Sequence, residues 1–82
     1  MPTPPMHGDS MNDLFPEDWP AFRRELVIET AVCFSDMLAS DTNPRWDEMG
    51  ADRQRTLVHN LAVIFQAQDN ALQRLSERGS LL

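Results

Sequence analysis

The chain predicts an all-α fold: a two-helix antiparallel hairpin with a short helical turn between the arms, paired into a dimeric helical bundle. Three observations predict it. Val58, Leu61, Phe65, Gln68, Leu72 and Leu75 recur at alternating spacings of three and four, the seam of one long helix packing along another. Asp41, Thr42, Asn43 and Pro44 break the chain, because the residue before a proline is pushed out of helical geometry. No stretch alternates apolar and polar residues with the period of a strand.

Residues 1–13 hold Pro2, Pro4, Pro5 and Gly8 among polar residues and show no apolar period, which predicts a flexible N-terminal tail. Met6 and Met11 are alternative starts within it. The hairpin domain is expected over 14–79. Its first helix should begin near Pro20, since a proline in the first turn forfeits no hydrogen bond, and should run to about Ser40. On a helical wheel Glu25, Glu29, Asp36 and Ser40 share a narrow polar stripe. Most of the remaining girth is apolar, from Leu26, Val27 and Ile28 through Ala31, Val32, Cys33 and Phe34 to Met37, Leu38 and Ala39. One partner helix cannot cover so wide a surface.

Asn43 as a cap and Pro44 as a first residue predict a short helical turn over 44–49 containing Trp46. The second helix is expected over 51–77, with Asp52 in its first turn, Arg74 and Arg78 at its end, and Gly79 stopping it. Residues 80–82 form a C-terminal tail.

Composition narrows the function. A chain of 82 residues has room for one domain, and one this small buries only about 60% of the surface its unfolded chain exposes, which favours oligomers. The net charge is -6, with eleven of the thirteen acids in residues 1–52. That argues against nucleic acid, whose binding needs clustered Lys and Arg, and favours a basic protein partner. A DNA-binding regulator is a third reading, ranked below the others, with Arg53 and Arg55 as its only close basic pair on the second helix. No apolar run approaches 18 residues and the N-terminus lacks a basic and then apolar leader, so neither membrane insertion nor export is expected, and the cytoplasm is the expected compartment. The single cysteine, Cys33, excludes an internal disulfide, and its apolar neighbours predict a buried thiol.

Chemistry is sparse. His7 lies in the expected tail and His59 stands alone on the second helix, where a structural histidine is the commoner case. A Cys33–His59 nucleophile pair would need an exposed, activated thiol. No His pair stands at metal-ligand spacing, and Gly8, Gly50 and Gly79 are too scattered to cradle phosphate. The carboxylate pairs Glu17/Asp18 and Asp47/Glu48 sit at helix starts, where acids serve the helix. No catalytic residue, metal site or cofactor is expected, and no enzyme.

Binding residues are expected instead. Phe15, Trp19 and Phe22 stand at i, i+4 and i+7 in an acidic context, the spacing with which an amphipathic helix fills a groove on a partner. The commoner outcome for such rings is that they fold back on the hairpin as a hydrophobic staple and core, and that reading is the favoured one of the two. Trp46 admits the same two readings, exposed anchor or plug at the hairpin end. The dimer interface is expected at Leu26, Ile28, Val32 and Phe34 of the first helix and Val58, Leu61, Phe65 and Leu72 of the second.

A Trp in the turn between two helices resembles the WXG100 family of secreted hairpins, although the Trp-x-Gly of that family is here Trp46-Asp47-Glu48-Met49-Gly50. The stretch from Trp46 through Gly50, Arg53 and Leu57 resembles the Trp-led helix starts of small phage and prophage helical proteins, and the whole chain looks like their short acidic host-takeover hairpins. That resemblance implies an inhibitor that binds a host transcription regulator or ATPase, and it carries over no functional residue. A small acidic secretion-type chaperone sheltering a cargo helix is the alternative.

Overall fold

The computed structural model describes residues 11–79, and residues 1–10 of the expected tail, His7 and residues 80–82 lie outside the described residues. Two α-helices dominate: α1, Ala21–Met37, and α2, Ala51–Glu77. Single 3-10 turns lie at Asn12–Leu14 and Trp46–Glu48, and no strand occurs among the described residues.

Local signals set most of these limits. Trp19 N–H donates to the Pro16 carbonyl at 3.1 Å, and Pro20, in an extended conformation, then starts α1 by accepting from Arg24 N–H at 3.2 Å. α1 ends at Met37, short of the expected Ser40, because side chains of the break compete for its last groups. Ser40 Oγ accepts from Thr42 N–H and Asn43 N–H at 3.3 Å, and Asn43 Nδ2 reaches back to the Leu38 carbonyl at 3.4 Å. Asn43 thus closes the first helix and does not cap the next turn. That turn is held by Arg45 N–H donating to Glu48 Oε1 at 3.0 Å. Gly50 accepts from Gln54 N–H at 3.1 Å to begin α2. Gly79, with φ of 73°, supplies the left-handed residue that stops it.

The helices run antiparallel. At the turn end, Trp46 N–H donates to Asp36 Oδ1 at 3.3 Å and the Trp46 carbonyl accepts from Gln54 Nε2 at 2.8 Å, which ties both arms to the turn. At the other end Arg23 pairs with Asp69. At about 1.5 Å per residue, 27-residue α2 outruns 17-residue α1 by roughly 15 Å, so Leu72 stays largely exposed beyond its partner helix.

The core joins Val27, Ile28 and Ala31 of α1 to Val58, Leu61 and Ala62 of α2, and it is completed by Met11, Phe15 and Trp19. This is the main correction to the expected organisation. Residues 11–13 do not belong to a free tail: Met11 is buried, and Asp13 pairs with Arg55 at 2.8 Å. The segment from Met11 to Trp19 is a strap that starts beside the first turns of α2 and ends under Arg23, near the middle of that helix. It brings to the small hairpin the apolar cover that two helices alone lack.

Cys33 is exposed, again against expectation. Val27, Ile28, Ala31 and Ser35 face inward, and at about 100° per residue Cys33 points to the opposite side. Ser35 is the one buried polar residue among the described residues and satisfies its hydroxyl by donating to the Ala31 carbonyl at 2.8 Å.

Candidate functional site

The strap roofs only one side of the hairpin. On that side Phe15 and Trp19 lie 5.9 Å apart, centre to centre, and the Arg23 guanidinium sits 4.0 Å from the centre of the Trp19 ring. Arg24 donates to the Trp19 carbonyl and so fixes the strap where it enters α1. Trp46 is half-buried and packs against the core as the plug of the hairpin end.

The other side is open. Phe34 of α1, Leu38 at its C-terminal cap, Pro44 and Met49 of the connection, and Leu57 and Asn60 of α2 line a groove of about 390 Å³. Its apolar walls are not spent on the core: Phe34 is 44% and Leu38 51% exposed. Asp52 and Arg53 stand at the groove on the α2 side, and Ile64, one helical turn beyond Asn60, is 57% exposed. The groove draws on three elements that come together only in the hairpin.

The expected anchors separate sharply. Phe15 and Trp19 are 7% and 8% exposed, so they are staples of the core and not surface anchors. Phe22 is 77% exposed. The three rings do not share a face because Pro20 is extended and the helix begins only at Ala21, which resets the phase before Phe22. The expected dimer seam divides in the same way. Ile28, Val58 and Leu61 are buried within the chain's own core and offer nothing to a second copy, whereas Leu26, Phe34 and Leu72 remain exposed. Val32 is half-buried next to Trp46 and Asp36, and Phe65 is half-buried near Arg23.

Electrostatics add one resolved feature. The Arg55 hydrogen bond to Asp13 holds the Asp13 carboxyl below the usual carboxylate range, and Asp13 in turn raises the Arg55 guanidinium further. His59 is exposed, as is Cys33. Among the described residues no three His, Cys, Asp or Glu side chains gather where they could hold a metal ion, and no helix is long and apolar enough to cross a membrane.

No protein-family model, no curated protein and no solved structure matches the chain. The groove is not legible in the sequence as a unit. Its one local signal is the string of apolar residues on α1 that exceeds what one neighbouring helix can cover.

Proposed function

We propose that this chain is a non-enzymatic protein–protein interaction module that takes its partner on the open side of the hairpin. The observation that carries this is the asymmetry of cover. One side is sealed by Met11, Phe15, Trp19 and Trp46, while the other leaves Phe34 and Leu38 half in water beside a groove of about 390 Å³. Contiguous apolar surface of that kind on a small chain marks a binding site. A groove between helices suits a partner helix that inserts one or two apolar side chains, and the net charge of -6 favours a basic one. The resemblance to small phage proteins supplies the class of partner, a host transcription regulator or ATPase, and the mode, inhibition by occupying a surface the host protein needs.

Quantitative affinity capture from the source cell tests this reading, with the wild-type chain, Leu38→Glu and a distant surface control, Glu17→Arg, as baits. Leu38 and Glu17 are both exposed, so neither change threatens the fold. A partner retained by wild type and Glu17→Arg but lost by Leu38→Glu supports the groove as the binding site. A partner indifferent to Leu38→Glu removes it. Capture of a secretion substrate would replace the inhibitor with the chaperone reading at the same groove.

A further inference from the structure

The exposed side of α1 carries a ridge with a property beyond its apolarity. Phe22, Leu26, Thr30, Phe34 and Leu38 follow one another at intervals of four, and side chains at that interval form the continuous ridge that packs helix against helix at about -50°. The ridge reads the same in size from either end: two large apolar residues, a small residue, two large apolar residues. Its centre, Thr30, turns its hydroxyl back to the Leu26 carbonyl at 2.6 Å and so presents a satisfied, compact side chain at the point where two helices would come closest.

We infer that two copies of this chain pair through this ridge about a two-fold axis at Thr30, with Phe22 of each copy seated in the open groove of the other. The antiparallel register follows from the palindrome. Thr30 meets Thr30, Leu26 meets Phe34, and Phe22 meets Leu38 at the groove formed with Pro44, Met49 and Leu57. The chain thus carries both a knob and a hole at reciprocal positions: Phe22 is its most exposed aromatic side chain at 77%, and the groove of about 390 Å³ is unfilled. A self-complementary patch of this kind is what a two-fold interface requires.

Area sets the strength of this pairing. At about 150–250 Å² for a large aromatic side chain and somewhat less for leucine, the exposed portions of Phe22, Leu26, Phe34 and Leu38 amount to roughly 400 Å² per copy. Two copies then bury about 800 Å², less than the roughly 1,000 Å² of a stable interface, so the dimer is a weak and reversible one. Each copy carries a net charge of -6, and exposed Glu25 flanks the ridge, so salt screens a repulsion and strengthens this pairing. A basic partner helix in the same groove would show the reverse.

This pairing names one occupant of the face proposed above to be the binding site, and it is tested separately from it. Sedimentation equilibrium from micromolar to millimolar concentration should show a reversible monomer–dimer equilibrium that tightens with salt. Phe22→Ala and Leu38→Glu should each weaken it at least about tenfold, since each change strikes the interface twice, with unaltered helical circular dichroism. In a Cys33→Ser background, Thr30→Cys should form a disulfide-linked dimer on mild oxidation, and Glu25→Cys should not. A monomer at every concentration, a dimer indifferent to Phe22→Ala or weakened by salt, or failure of Thr30→Cys to cross-link overturns the inference. A monomer whose captured partner is still lost with Leu38→Glu would leave the proposed function standing without the dimer. A dimer with these properties and no captured partner would do the opposite.

Discussion

The Arg23 guanidinium lies 4.0 Å from the centre of the Trp19 ring and 5.9 Å from that of Phe65, while its terminal nitrogens reach Asp69. One side chain therefore clamps the end of the strap onto α2 from the first turn of α1. Its Nε is buried without a hydrogen-bond partner, a cost the stacked rings and the carboxylate must offset.

Arg23→Lys keeps the charge opposite Asp69 but gives up the flat cation over the indole. Because Asp69 is 46% exposed, the ion pair itself contributes little, and the stack carries most of the effect. Arg23→Lys should lose about 1 kcal/mol of unfolding free energy in urea, close to the loss in Arg23→Ala, with a red shift of Trp19 fluorescence in both. A lysine variant as stable as wild type would place the energy in the ion pair.

Trp19 and Phe22, three residues apart in sequence, should respond in opposite ways to truncation. Trp19→Ala removes a buried indole and should cost about 3–5 kcal/mol, a large share of the roughly 5–15 kcal/mol that holds a domain together. Phe22→Ala, at low micromolar concentration, should change stability by less than about 0.5 kcal/mol. Thermal denaturation of the two variants side by side checks both expectations.

What the sequence made legible was local. The limits of α2 follow from Gly50, Asp52, Arg74 and Gly79, each acting on the turn it belongs to, and they fall at the expected 51 and 77. The folding back of Phe15 and Trp19 was legible as a staple, but the start of the strap was hidden because nothing near Met11 signals burial; its place depends on Asp13 meeting Arg55, 42 residues away. The core of α1 was hidden for another reason. Val27, Ile28 and Ala31 face inward while Phe22, Leu26, Phe34 and Leu38 face outward, and with apolar residues on both faces periodicity cannot tell inside from outside. The groove shares this cause, since its walls come from α1, the connection and α2.

Cys33, expected within the core, should behave as a surface thiol. At low micromolar concentration it should react with a disulfide reagent in the native state as fast as in urea, to within about tenfold, because no unfolding step must precede access. Cys33→Ser should leave stability within about 0.5 kcal/mol of wild type. Reaction only on unfolding would show that the outward side of α1 is covered even in the monomer.

Asp13 makes the fold sensitive to acid. Its hydrogen bond from Arg55 depresses its folded-state pKa below the unfolded value, so the contribution is complete above about pH 5 and is lost as the pH falls through about 4 and then through the folded value. The carboxyl gains its proton sooner in the unfolded chain than in the folded one, and the stability therefore declines on acidification. Both side chains are well exposed, at 38% for Arg55 and 68% for Asp13, so added salt should reduce the effect. The difference in urea midpoint between wild type and Asp13→Asn should be present at pH 6 and shrink progressively as the pH falls below about 4 and through the folded value, where the wild-type carboxyl gains its proton too. A difference that persists unchanged at pH 3 would mean that the asparagine perturbs the turn at Asn12–Leu14 itself, and that the Arg55 contact does not hold the strap.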